Sequence, residues 1–332
     1  MTPRLILIGT VAALALGGAC SSGGKGATHL VQVADPTPAG PLLLAEFEAG
    51  VGAVSETASA PAWMEPGAVA ALDASAVYSI RADELVRLDP RSGAAQSSWP
   101  RPPGGLSISA VAPGGRWVAL TNRARGYGNQ GRASTEVVVF DAKAGAEVHR
   151  MPLTGDVQPE AFSVDGRFVF ALDYRVDYYR VQTIDVANGM RYDTSDRDKT
   201  IPPEDMHGTS VHGVMSADGT LLATLYRNPG NVAEPAFVHV LDLEHEYSYC
   251  ADLPSPFGTG PLGSDTIELT RAGTVVVAAT RFDRLAEIHI DDVRTPPDTP
   301  VRLAVRNGTV APPAAALQSM PGFEYVIAPL DA

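Results

Sequence analysis

Residues 161–172 are AFSVDGRFVFAL and residues 214–225 are VMSADGTLLATL, the same polar Asp-Gly turn between two short runs of β-forming residues, 53 positions apart. Aligned on the turn glycine, the pattern occurs five times. The copies are SAVAPGGRWVALT at Gly115, AFSVDGRFVFALD at Gly166, GVMSADGTLLATLY at Gly219, ELTRAGTVVVAAT at Gly273 and LQSMPGFEYVIAP at Gly322, with spacings of 51, 53, 54 and 49 residues. A weaker copy, AALDASAVYSI at 70–80, lacks the glycine. A fixed period of this length marks a supersecondary unit that buries its apolar faces only by stacking on copies of itself.

A second signature interleaves with the first: a β-rich run ending in Asp, at Asp35, Asp89, Asp141, Asp185, Asp242 and Asp291, as in ELVRLDPRSG and EVVVFDAKAG. Asp tolerates turn backbone geometry and accepts hydrogen bonds from the amides that follow it, so this too signals a hairpin. Each unit therefore runs strand, Asp-Gly-like turn, strand, variable loop, strand, Asp…Gly turn, strand. Four antiparallel strands per repeat make the blade of a β-propeller, and closing the ring removes sheet edges. The chain opens with a half unit at Asp35 and ends with the complementary half at Gly322, so 28–48 and 313–332 are expected to share one sheet. The expected fold is all-β, a six-bladed propeller of four-stranded antiparallel blades, with seven blades if 49–65 holds a degenerate unit. A pair of β-sandwiches is the rival, but sandwiches do not demand a regular long period. No segment has convincing helical periodicity, and 32 glycines and 27 prolines suit a chain of many short elements.

These turn and strand signatures resemble the YVTN and TolB-like (WD-repeat-like) β-propellers of bacterial secreted proteins, over about residues 28–332. The resemblance implies the fold and transfers no catalytic residue. At the N-terminus, Arg4 precedes an apolar stretch, Leu5 to Leu16, too short for a confident membrane span. Gly17-Gly18-Ala19-Cys20 then resembles the lipobox of bacterial lipoproteins, although Leu16 stands four residues before the cysteine where the family prefers three. That resemblance implies a signal peptide over 1–19, lipidation of Cys20, a flexible tether over 20–27 and a single propeller domain over 28–332. An ordinary secretory signal is the alternative. The partner implied is the membrane, through an N-terminal lipid anchor, with the protein on the outer face of the bacterial cytoplasmic membrane or secreted.

With 25 Lys+Arg against 38 Asp+Glu, the net charge of −13 argues against nucleic acid as a partner, because phosphate backbones need compensating positive charge. Once 1–19 is removed, Cys250 is the one thiol besides Cys20, which excludes a disulfide framework within the fold. Its setting, YSYCADL, suits a small buried hydrophobe.

Several motifs match chemistry only as letters. Gly258-Thr-Gly260-Pro-Leu-Gly263 spells a dinucleotide fingerprint, but Pro261 interrupts it and a strand rather than a helix follows. Asp193, Asp196 and Asp198 could offer oxygen ligands to Ca²⁺, yet they lack the glycine and later glutamate of a calcium loop, so a solvated inter-blade loop is favoured. There is no G-x-S-x-G elbow and no H-E-x-x-H helix. His207 and His212, with Asp205, are the best metal or general-base candidates, in or beside the innermost strand of the unit of Gly219. Glu160, Asp265 and Glu268 enter equivalent regions of neighbouring units. A divalent metal is the one cofactor these residues admit; otherwise none is expected.

Five units place an arginine just after the second strand: Arg81, Arg123, Arg175, Arg227 and Arg281. Repetition at one place in the unit puts them on one face of the ring. They either pair with nearby acids such as Asp83, Asp173, Asp177 and Asp283, or form a basic ring for a carboxylate or phosphate. On the second reading Arg123, Tyr127, Arg175, Arg227 and Arg281 are the ligand-binding set, Tyr127 lying in the loop NRARGYGNQGRAST. Two function classes follow. One is a binding or scaffolding module for a protein, a cell-wall polymer or a small anionic ligand. The other is a metal-dependent hydrolase or lyase at the central channel. Propellers host both.

Overall fold

The computed structural model describes residues 41–332 except 125, 127, 204, 261–264, 271–272, 310–316, 318, 331 and 332, and the side chains of 269 and 280. All six blades belong to the compact unit Thr37–Ala332. In order from the axis outward, blade 1 comprises Phe323–Pro329, Leu42–Phe47, Gly50–Ser55 and Trp63–Pro66. Blade 2 is Val69–Ala70, Val77–Arg81, Glu84–Leu88 and Ala95–Pro100. Blade 3 is Ser107–Val111, Trp117–Thr121, Ser134–Asp141 and Ala146–Thr154, and blade 4 is Asp156–Phe162, Phe168–Tyr174, Tyr179–Asp185 and Arg191–Asp193. Blade 5 is Thr209–Met215, Leu221–Arg227, Ala236–Asp242 and Tyr247–Leu253, and blade 6 is Asp265–Leu269, Thr274–Ala279, Arg284–His289 and Leu303–Asn307.

The protein is thus a six-bladed β-propeller whose N- and C-terminal strands share a blade. Leu42–Phe47 pairs antiparallel with Phe323–Pro329, as the half units at the two ends predict. The division differs from two strands each: blade 1 takes three strands from the N-terminal side and one from the C-terminal side. Gly322 therefore precedes the innermost strand instead of joining it to the second. Residues 49–65 hold no hidden unit, because Gly50–Ser55 and Trp63–Pro66 are the third and fourth strands of blade 1. Asp35 and Cys20 lie outside the described residues.

Burial explains the strand sequences. A middle strand is sandwiched between two neighbouring blades, so all seven residues of Phe168–Tyr174 are buried and the strand reads as a continuous apolar run. The outer strand Ala95–Pro100 is almost wholly exposed, with Gln96, Ser97 and Ser98 at its centre. The core accordingly sits between blades: Tyr78, Leu85, Leu106, Leu120, Val138 and Phe140 form one cluster between blades 2 and 3.

The repeated turn residues serve the same stacking. Gly166 has φ +74°, and a Cβ there would stand 2.0 Å from Nε1 of Trp117 in the preceding blade, so both backbone conformation and close approach require glycine. At the other hairpin, Asp141 Oδ1 accepts the amide of Lys143 at 2.9 Å while the Gly145 amide donates to the Asp141 carbonyl at 2.8 Å. A Cβ on Gly145 would meet the Trp99 ring of blade 2 at 2.7 Å. The weak sixth repeat solves its turn differently: Ala74 accepts φ 56° where the other units use glycine, and Asp73 Oδ1 accepts from the Ser75 amide and hydroxyl.

Candidate functional site

On one face of the ring the second strands end and the innermost strands of the following blades begin, and this is where the repeated arginines stand. Arg81 makes a two-pronged pair with Glu65, Nε–Oε1 2.8 Å and Nη2–Oε2 2.9 Å. Burial pushes the Glu65 carboxyl up, but the hydrogen bonds from Arg81 and Ser79 overcome it and hold it below the usual range. Arg123 is fully enclosed. Its Nε donates to Asp156 Oδ1 at 2.7 Å, at the start of the innermost strand of blade 4, and its Nη1 donates to the Gly126 carbonyl at 2.6 Å and to Gln158. Nη2 donates to the Gly128 carbonyl, and the guanidinium lies 4.9 Å from the Tyr174 ring centre. Arg227 donates to the carbonyls of Gly258 and Gly260, in the loop whose Gly258 amide donates to Asp265 Oδ2 at 2.9 Å. Gly258 and Gly260 of the G-x-G-x-x-G letters thus lie in a blade-to-blade connection.

Arg123 and Arg227 are committed to protein partners, so the five arginines do not form one ring around a ligand. Arg175 and Arg281 face solvent. Arg175 pairs with the buried Asp173, whose carboxyl burial pushes up against the opposing pull of Arg175. Tyr127 lies outside the described residues.

The same face carries a feature absent from the motif reading. Between the second and third strands, blade 4 exposes Val176 and blade 5 exposes Val232, each at 86%, and blade 6 exposes Phe282 at 44%. Three successive blades therefore present an apolar tip at the equivalent turn, two of them beside exposed arginines. A strand-pattern reading passes over these residues because a single apolar residue in a loop carries no periodicity. Only the ring geometry aligns them.

The metal candidates do not converge. His207 Nδ1 is 3.0 Å from the Asp177 carbonyl, whereas Asp205 accepts from Arg180 at 2.7 Å. His212 lies on the innermost strand of blade 5, and its ring centre is 3.7 Å from that of Tyr325 on the innermost strand of blade 1. Blade 6 separates these two in the ring, so they meet across the channel. Burial pushes the His212 imidazole down to about 3, keeping it neutral. Among the described residues, no group of three or more His, Cys, Asp or Glu side chains could hold a metal ion. The Asp193–Asp198 segment is a strap: Ser195–Asp196 adds a parallel strand to the edge of blade 5, Asp193 accepts from Arg180 at 2.8 Å, and Arg197 donates to the carbonyls of Pro296 and Thr299.

One carboxyl beside the channel is chemically distinct. Glu160 sits at a bulge in the innermost strand of blade 4, and Oε1 is 3.3 Å from the Tyr226 hydroxyl of blade 5. It is half-buried, and burial pushes its pKa up to about 7 against the lowering by Tyr226. A carboxyl poised there can take or give a proton near neutral pH. Asp265 and Glu268 are also raised by burial.

No protein-family model matches the sequence, and no curated protein does. Among solved structures, the chain is similar to an oligogalacturonate lyase in complex with manganese, at 10% identity over 79% of this chain and 72% of that one, with a TM-score of 0.45. It is similar also to TolB from Acinetobacter baumannii, at 15% identity over 81% of this chain and 64% of that one, TM-score 0.41. A putative TolB from Agrobacterium tumefaciens matches at 14% identity over 81% and 92% of the two chains, TM-score 0.40. Likenesses this remote say nothing about activity.

Proposed function

We propose that the protein is a binding or scaffolding module, held by a lipid on Cys20 at the outer face of the bacterial cytoplasmic membrane, that engages a protein partner through the turn face of blades 4 to 6. The observation that carries this reading is the row Val176, Val232 and Phe282, with Arg175 and Arg281 beside it. Apolar side chains exposed in a row on a rigid ring gain free energy when a partner covers them. The adjacent guanidiniums favour a partner whose rim carries carboxylates. Cells making the tethered protein with a photocrosslinker at Val232 should yield a discrete adduct. The Val176→Asp/Phe282→Asp variant should lose that adduct while melting like the parent. If no adduct forms, or it survives both substitutions, the face is not a docking surface. Membrane fractionation with intact mass tests the anchor separately: Cys20→Ala should release the protein or leave it unprocessed, and processing without an acyl adduct would refute lipidation.

A hydrolase or lyase at the channel is the second reading, and what favours it is Glu160, a carboxyl tuned toward neutrality at the axis. Turnover of model esters or glycosides that Glu160→Gln abolishes would move the assignment to an enzyme.

A further inference from the structure

Between blades 4 and 5 lies a cavity of about 30 Å³ lined by Arg180, Asp196, Met206, His239 and Cys250, among others. Three soft or borderline donors converge there from independent elements. His239 on the third strand of blade 5 is the direct cross-strand partner of Cys250 on the outer strand, so the two side chains stand on the same face of the sheet. Met206 comes from the strap that joins blades 4 and 5, pinned to Tyr179 by two backbone hydrogen bonds of 2.8 and 2.9 Å. Its Sδ is 3.8 Å from Cys250 Sγ. Two sulfurs held about 2.3 Å from one ion at the trigonal angle stand about 4.0 Å apart, close to this spacing. His239 is 3% exposed, and its Nε2 is buried with no hydrogen-bond partner. An orphaned ring nitrogen in a folded interior calls for a partner that the protein itself does not supply.

We propose that His239 Nε2, Cys250 Sγ and Met206 Sδ form a three-coordinate site for a soft monovalent cation, Cu(I). Thiolate and thioether select Cu(I) over hard ions. Charge points the same way. Binding displaces the Cys250 proton, and one thiolate then neutralises a monovalent ion, so no net charge is buried. The cavity is large enough for one ion or one water and little more, since a water needs about 10–15 Å³.

The test uses the full chain carrying Cys20→Ser, so that Cys250 is its only thiol. Anaerobic titration with Cu(I) held by bicinchoninate should show one equivalent transferred to the protein. Binding should abolish the reaction of Cys250 with a thiol reagent and raise the melting temperature. Met206→Leu and His239→Gln should each weaken Cu(I) binding tenfold or more, and Cys250→Ser should abolish it. Zn(II) should not compete at equal concentration. Because Met206→Leu nearly conserves volume, it keeps the test decisive if another variant misfolds. Failure to take Cu(I) from bicinchoninate would overturn the proposal, leaving a water as the partner of His239. So would a Met206→Leu variant with unchanged affinity, or equal binding of Zn(II).

Discussion

Replacing Arg123 by alanine should reveal how far this ring depends on one buried ion pair. The Arg123 side chain is 0% exposed and that of Asp156 is 2% exposed, with 2.7 Å between Nε and Oδ1. Removing the guanidinium strands a carboxylate in the seam between blades 3 and 4 and frees Gln158 and the carbonyls of Gly126 and Gly128. Breaking one side of such a pair costs about 3–5 kcal/mol, because the remaining charge is buried without compensation. At roughly 2–4 °C per kcal/mol for domains somewhat smaller than this one, melting should drop by about 6–20 °C. Differential scanning calorimetry and urea titration would measure this, with limited proteolysis following release of the 122–133 loop. The double variant Arg123→Met/Asp156→Asn should be more stable than Arg123→Met alone, since it removes the stranded charge as well, and the cycle isolates the coupling. A fall of under about 2 °C for Arg123→Ala, or a double variant no better than the single, would refute the claim that the pair fastens these blades. If an anion protected the wild type against heat and that protection vanished in Arg123→Ala, the side chain would instead serve a ligand.

Other consequences are as specific. Deleting 323–332 removes the innermost strand of blade 1 and opens edges at Leu42–Phe47 and around the ring, so the truncated chain should aggregate on size-exclusion chromatography, where loss of a loose tail would leave a monomer. Gly67→Ala, with φ +68° and nothing within 4 Å of the new Cβ, should lose about 1 kcal/mol from backbone strain alone. Gly166→Ala must also displace the Trp117 ring and should lose about 1–3 kcal/mol more by urea titration; equal losses would show that the close approach is unimportant. Glu160 has its folded pKa raised from 4.5 to about 7, so the folded state holds the extra proton and stability contributed by this group falls as pH rises through that window. Glu160→Gln should remove that decline from a pH series of unfolding midpoints, and an unchanged series would show the carboxyl is not desolvated. His212 acts oppositely: with its folded pKa lowered from 6.5 to about 3, its contribution is present above about pH 6.5 and lost as pH falls, and His212→Phe should flatten that acid limb.

Much of this architecture was legible in the letters because its determinants are local. Gly115, Gly166, Gly219 and Gly273 all occupy left-handed turns between innermost and second strands, and a turn conformation depends on two or three neighbouring residues. The aspartates at 89, 141, 185 and 242 accept from amides two or three residues on, which is also a local event. Multiplied around a closed ring, these turns yield six blades. The three-plus-one division of blade 1 was not legible, because the position of Phe323–Pro329 in its sheet depends on pairing with Leu42–Phe47, nearly the whole chain away.

The sites divide in the same way. Placing the arginines on one face followed from their repeated position, but the fate of each depended on what the next blade offered. Arg123 meets Asp156, Arg227 meets the Gly258 and Gly260 carbonyls, and Arg175 is left at the surface. His207, His212 and Asp205 are neighbours in sequence, yet the fold sends them to a loop, the channel and an arginine on blade 4. Conversely, Met206 and Cys250 are 44 residues apart and meet at 3.8 Å. Backbone conformation is chosen residue by residue and so is written in order along the chain. Side-chain encounters between blades are set by sheet register and ring closure, and those exist only once the whole chain has folded.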